Sequence, residues 1–181
     1  MTYKTIVADP PWSFKNKNTG GSMTSGSNAK YPTLSTDDIK NLIVNDTSIQ
    51  KLGDKNSVLF LWIPVALLPE GLDVMKSWGY TYKTSIFWVK TNKRPGIGFT
   101  YRNKVEQCLF GKRGKLPAFR SPKPNVIFAQ SEQHSKKPVE FFEHITPELT
   151  KFNLEPKIEL FAREVREGWD GWGLDYPVRG Q

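Results

Sequence analysis

Cysteine is almost missing from this chain. Of 181 residues only Cys108 is a cysteine, which excludes an internal disulfide and any cysteine-built zinc site. Histidine is nearly as scarce. His134 and His144 stand apart from any carboxylate cluster, so no metal centre is expected, and His144 within Phe141-Phe142-Glu143-His144-Ile145 reads as a helix-face residue. No apolar run approaches the roughly 20 residues of a membrane span, and the N-terminus has no hydrophobic signal segment. A reducing, cytoplasmic setting without membrane association is the resulting expectation. Internal repeats and interdomain linkers are also missing, so residues 1–181 are expected to form one domain, long enough for a sizeable core.

Acids are scarce in one place. Lys90, Lys93, Arg94, Arg102, Lys104, Lys112, Arg113, Lys115, Arg120 and Lys123 face a single acid, Glu106, so this stretch alone accounts for the net charge of +8 and leaves the remainder near neutrality. With Phe99, Tyr101 and Phe119 interleaved, it has the composition of a surface that tracks nucleic-acid phosphates; Lys90, Arg94 and Arg102 are the candidate contacts. A solvated face that keeps the protein soluble has the same composition.

What the chain does have, at its start, is Lys4-Thr5-Ile6-Val7-Ala8-Asp9-Pro10-Pro11-Trp12. The β-branched run suits a buried strand, and two prolines stop it. Asp9 is left at the strand's carboxyl end, where open α/β sheets collect ligands. Each proline lacks an N–H, so the Asp9 carboxylate and the Pro10 carbonyl can both act as acceptors toward a ligand. An exocyclic amine of a nucleobase offers two hydrogens to such a pair, and Trp12 offers a flat face for the base. Turn chemistry alone explains the tetrapeptide equally well, as a rigid bend with a half-buried tryptophan.

The rest alternates strands with helices. Lys15 to Lys30 is a Gly/Ser/Asn/Thr loop that either closes over a substrate or merely connects. Ser35-Thr36-Asp37-Asp38 caps a helix through Ile39 and Leu42. Strands are expected at 57–62, 84–90, 105–110 (closed by Gly111), 125–129 and 158–162. Helices are expected from Leu67 to Trp78, ended by Gly79, and from Lys137-Pro138 with Phe141, Phe142 and Ile145 inward. This order implies an α/β fold, a mostly parallel sheet with helices on both faces. Gly96-Ile97-Gly98 is too short for a phosphate-binding fingerprint.

Asp9-Pro10-Pro11-Trp12 resembles the catalytic motif of the MT-A70 family of S-adenosylmethionine-dependent adenine N6-methyltransferases. The resemblance continues, in the family's order, through Tyr31-Pro32-Thr33-Leu34-Ser35, Leu59-Phe60-Leu61-Trp62, Phe87-Trp88-Val89-Lys90-Thr91-Asn92, His134-Ser135-Lys136-Lys137-Pro138, Lys157-Ile158-Glu159-Leu160-Phe161-Ala162-Arg163 and Gly168-Trp169-Asp170-Gly171-Trp172-Gly173. It implies a Rossmann-like methyltransferase fold with permuted motif order and S-adenosyl-L-methionine as cofactor. Catalysis would rest on Asp9, Pro10, Pro11 and Trp12. The cofactor would be held by Asp9, Lys137, Pro138, Glu159, Leu160, Phe161, Arg163 beside the ribose, and Asp175. Lys137 would pair with the cofactor's carboxylate or steady the base, and Tyr31 would lie close to a flipped base. Family members usually have Asn followed by an acid or amide where this chain has Leu174-Asp175, so Asp175 or backbone must serve there.

The implied reaction is methyl transfer to adenine in nucleic acid. DNA is favoured over RNA because the chain carries no appended RNA-binding module, and the base must be flipped out or met single-stranded. A methyltransferase-like subunit that binds nucleic acid for a catalytic partner is the alternative, although such subunits tend to lose Asp-Pro-Pro-Trp; a basic module without cofactor is a third. The chain's extent implies a pared-down sheet, completed by a homodimer or a partner subunit.

Overall fold

The computed structural model describes residues 1–14, 32–92, 100–116, 120–131, 136–174 and 176–177. In chain order the elements are β1 (Tyr3–Ala8), α1 (Thr36–Lys40), β2 (Ile43–Val44), β3 (Thr47–Ser48), α2 (Ile49–Leu52), β4 (Gly53–Ile63), α3 (Leu68–Ser77), β5 (Thr81–Lys90), β6 (Val105–Arg113), β7 (Val126–Ala129), α4 (Val139–Lys151), β8 (Lys157–Leu160) and β9 (Asp170–Trp172). Seven strands join one sheet in the order β7-β5-β6-β4-β1-β8-β9. Within it β6 alone runs against the others, pairing antiparallel with both β4 and β5, while the remaining pairs are parallel. The carboxyl ends of β1, β4, β5, β7 and β8 therefore share one edge with the amino end of β6.

Period-two alternation divides the core between the sheet's faces. Ile6, Ala8, Leu59, Leu61 and Leu109 pack toward Ile39 of α1, Ile49 of α2 and Val74, Met75 and Trp78 of α3. Val7, Val58, Phe60, Trp62, Trp88 and Cys108 pack toward Phe141, Phe142, Ile145 and Leu149 of α4. The arrangement is the mostly parallel sheet with helices on both faces that the alternating sequence implies.

Local chemistry explains where the elements depart from expectation. Ser35 caps α1 through a reciprocal box with Asp38, but the helix stops at Lys40. Two residues at positive φ, Asn45 and Asp46, then turn the short β2–β3 hairpin. Gly111 does not close β6. It sits inside the strand opposite Leu59 and Tyr82, where a side chain would meet Met75 Sδ at 2.7 Å. The last long strand ends at Leu160 because Phe161 takes a φ of +62°. β9, formed by the Gly/Trp-rich tail, was not foreseen, and seven strands replace the expected pared-down sheet.

The antiparallel course of β6 also divides the basic stretch between the two edges of the sheet. Glu106 starts the strand and Lys112 and Arg113 end it, about 20 Å apart at 3.4 Å per residue. Arg113 is a structural clamp: it donates to the carbonyls of Gln50 at 2.9 Å, Asp54 at 2.7 and 3.1 Å, and Gly53, and lies over the Tyr80 ring at 4.9 Å. Arg113→Ala is expected to lower the unfolding free energy by about 2 kcal/mol in urea denaturation. Unchanged stability would return Arg113 to the set of solvated surface cations.

Candidate active site

Asp9 leaves β1 at the shared edge, its N–H still donating to the Leu160 carbonyl at 3.4 Å. The next three residues fold back tightly. Trp12 N–H donates to the Pro10 carbonyl at 2.9 Å, a three-residue γ-type bend. The Pro10 carbonyl therefore does meet a local donor: the prolines supply none, but the residue following them does. One lone pair of Pro10 O remains for a ligand. Leu34 pins the turn from the other side, its N–H donating to Pro11 O at 2.8 Å and its carbonyl accepting from Ser13 N–H at 3.0 Å.

Trp12 is placed differently from an open stacking platform. It is 7% exposed, belongs to the core beneath α1–α3, and donates its indole N–H to the Trp62 carbonyl at 2.9 Å. The bend that aims Asp9 outward turns the following side chain inward, so the ring anchors the turn to β4.

Four alternating charges line the edge. Lys137 Nζ lies 2.7 Å from Asp9 Oδ2 and 3.1 Å from Glu106 Oε2; the other Glu106 oxygen pairs with Lys90 Nζ. Lys137 is the most buried, its side chain 9% exposed and its ammonium 5.2 Å from the Trp62 ring centre. Burial pushes the Asp9 carboxyl above its ordinary range, and the Lys137 charge pulls it part of the way back. Burial alone would lower Lys137, yet the attraction of Asp9 and Glu106 together raises it, so the ammonium stays charged. Glu106 is held below its usual range because its two lysines outweigh its burial.

A second wall faces this row. Asp9, Lys136, Lys137, Glu159, Phe161, Arg163, Glu164 and Arg166 enclose a cleft of about 20 Å³. Arg166 Nε approaches Glu159 Oε2 only to 3.6 Å, and both atoms are buried without a hydrogen-bond partner among the described residues. Burial, reinforced by Asp9, raises the Glu159 carboxyl to about 7 against the opposing pull of Arg166. Phe161 is a non-glycine residue in the left-handed region at the mouth of this cleft, its ring edge-on to Trp172 at 5.5 Å. Strain of this kind persists where surrounding structure over-determines it.

The structure thus gathers Asp9, Pro10, Lys137, Glu159, Phe161 and Arg163 at one edge. Leu160 is fully buried and offers the site only its backbone, and Pro138 is the cap residue of α4 rather than its first residue. Lys90 has its ammonium committed to Glu106 and the Trp88 ring, at 5.0 Å from the ring centre, while Arg102 is exposed just before β6. Tyr31, Arg94, His134 and Asp175 lie outside the described residues; Leu174 is 90% exposed. Sequence reasoning missed Glu106, although its signal was plain: one acid among ten bases, opening a strand. It also missed Lys136, Glu164 and Arg166.

Glu159 makes a pH signature. The folded chain keeps a proton that the unfolded chain releases near its ordinary 4.5, so stability falls as pH rises from there to about 7. With the side chain 14% exposed, the loss is about 3 kcal/mol. Urea unfolding across that window is expected to show the decline in the native chain and not in Glu159→Gln; equal slopes would contradict the assignment.

The MT-A70 family model matches residues 3–175. The type II methyltransferase M.MunI of Mycoplasma sp is 32% identical over 97% of this chain and 78% of its own length. An N(6)-adenosine-methyltransferase MT-A70-like protein of Arabidopsis thaliana is 30% identical over 93% of the chain, and the human N(6)-adenosine-methyltransferase catalytic subunit METTL3 is 29% identical over 92%. The chain spans about a quarter of the length of these last two, 23% and 27%. With a turn of Asp-Pro-Pro-Trp at the carboxyl edge of a mostly parallel sheet, and a match from β1 through β9, the chain belongs to the MT-A70 family of S-adenosylmethionine-dependent adenine N6-methyltransferases.

Proposed function

We propose that this chain methylates N6 of adenine in DNA, with Asp9 and the free lone pair of the Pro10 carbonyl receiving the two hydrogens of the target amine. The observation that supports this reading most is the lysine-held carboxylate of Asp9 at the end of β1, 2.7 Å from Lys137. An acceptor pair at that nitrogen draws its lone pair out of conjugation with the ring and orients it for in-line attack; positioning supplies most of the rate. Trp12 acts beneath the turn rather than against the base, and the family resemblance is what proposes Tyr31 for the base-facing role. Arg102 and Lys104, both exposed before β6, are the proposed phosphate contacts. The DNA preference is supported by a type II methyltransferase that matches over most of both lengths, and it makes the cytoplasm the expected compartment. Among the described residues β7 and β9 are the outer strands of the sheet, and these edges are the proposed contact for a second copy or a partner subunit.

S-adenosylmethionine supplies the sulfonium-activated methyl group when bound. The donor set beside Asp9 fits it: Glu159 Oε2 and Arg166 Nε are buried without a hydrogen-bond partner among the described residues, and a molecule carrying hydroxyls, an ammonium and a carboxylate satisfies both signs of charge. Glu159, Phe161, Arg163 and Asp175 are the residues proposed to hold it, with Lys136 and Lys137 on the carboxylate side.

Incubation with deuteromethyl cofactor and matched single- and double-stranded DNA and RNA, followed by nucleoside mass spectrometry, is expected to yield labelled N6-methyldeoxyadenosine. Label confined to RNA would overturn the DNA assignment, and label at another nucleoside would overturn the chemistry.

The charge row predicts a second result. Asp9 must be ionised to accept the amine, and Glu106 is one of the charges that raise its carboxyl. Glu106→Gln is therefore expected to move the acid limb of the kcat–pH profile to lower pH, and Lys137→Met to move it higher. Limbs that stay in place in both variants would remove Asp9 as the titrating group.

A further inference from the structure

A second cavity opens at the opposite, amino edge of the sheet, on the α4 face. It encloses about 330 Å³ between β4, β5, β6, the approach to β7 and the second half of α4, at the lower end of the range typical of ligand sites. Its apolar lining is Phe60, Ile86, Phe110 and Ile145. Glu148 also lines it; this side chain is 8% exposed, and its Oε2 has no hydrogen-bond partner among the described residues. A buried acceptor of that kind is costly unless a donor reaches it. At the mouth stand Lys83 and Lys112. Burial, and then the charge of Lys83, pull the Lys112 ammonium below its ordinary range. Lys123, also in the wall, is engaged with the His144 carbonyl at 2.9 Å, and burial with the Lys123 charge keeps His144 below its usual value. Nothing in the methyl-transfer reading uses this cavity, which lies the length of β6 from Asp9.

We propose that this cavity is a nucleoside monophosphate site, with the base between the Phe60–Phe110 and Ile145 surfaces, a base N–H donated to the Glu148 carboxylate, and the phosphate held by Lys83 and Lys112. Each wall answers one part of such a ligand: a flat apolar body, a donor, and a charge of two negative units. A free nucleotide and the terminal nucleotide of a strand share this chemistry.

Guanosine monophosphate is the probe, because its base edge presents N–H donors. Calorimetry on the full chain is expected to show saturable binding that falls at least about tenfold in the Lys83→Ala/Lys112→Ala double variant and about tenfold with guanosine in place of the nucleotide. Asp9→Asn is expected to leave it unchanged, since Asp9 lies at the other edge. Lys83 is exposed and Lys112 half-buried, and a retained melting temperature in the double variant separates lost binding from lost fold. A short 5′-phosphorylated oligonucleotide that binds with the same lysine dependence, where the mononucleotide binds more weakly, would assign the strand as the source; the reverse order would assign the free nucleotide. Absence of binding for both probes, or binding that is lost in Asp9→Asn and kept in the lysine variant, would overturn the proposal.

Discussion

The interaction on which the site depends is the ion pair between Lys137 and Asp9. A carboxylate at the end of a buried strand costs free energy in proportion to its desolvation, and an unpaired one takes up a proton instead. Lys137 prevents that for two acids at once, and its own burial is sustained only because Asp9 and Glu106 flank it. Removing any member leaves a buried charge uncompensated, which typically costs about 3–5 kcal/mol. The row is therefore one unit, and the fold is arranged to assemble it. Asp9 comes from the end of β1, Lys137 from just before α4, Lys90 from the end of β5 and Glu106 from the start of β6.

That last placement explains why a mostly parallel sheet contains one reversed strand. A parallel β6 would deliver its carboxyl end to the site. The reversed β6 delivers Glu106, and sends Lys112 and Arg113 to the far edge. The same reversal divides the basic stretch by role: Lys90 neutralises Glu106, Arg113 clamps the start of β4, and Arg102 and Lys104 remain exposed near the reaction edge.

Much of this was legible in the sequence. Alternation and apolar runs gave most strands of the main sheet, because burial on one or both faces writes itself into local composition. Asp9 as an edge acid followed from the prolines that stop β1. Other features were not legible, for identifiable reasons. The Glu106–Lys137 contact joins residues 31 positions apart in the chain, and no local pattern encodes it. Trp12 was read either as a flat face for the base or as a half-buried part of a rigid turn, because an aromatic after two prolines has no periodicity to mark which way it turns; the γ-type bend decides that. Gly111 looked like a terminator because glycine serves both turns and close packing. β9 is three residues long among glycines and tryptophans, too short to show alternation.

In the proposed mechanism the ionised Asp9 carboxylate is an acceptor for the substrate amine. The measurement that tests it most directly is single-turnover methyl transfer by Asp9→Asn, alongside its equilibrium affinity for S-adenosylmethionine. The amide replaces one acceptor oxygen with a donor aimed at the amine, so the transfer rate is expected to fall by about 10² or more, while cofactor affinity changes far less. Transfer at the native rate would contradict the central claim.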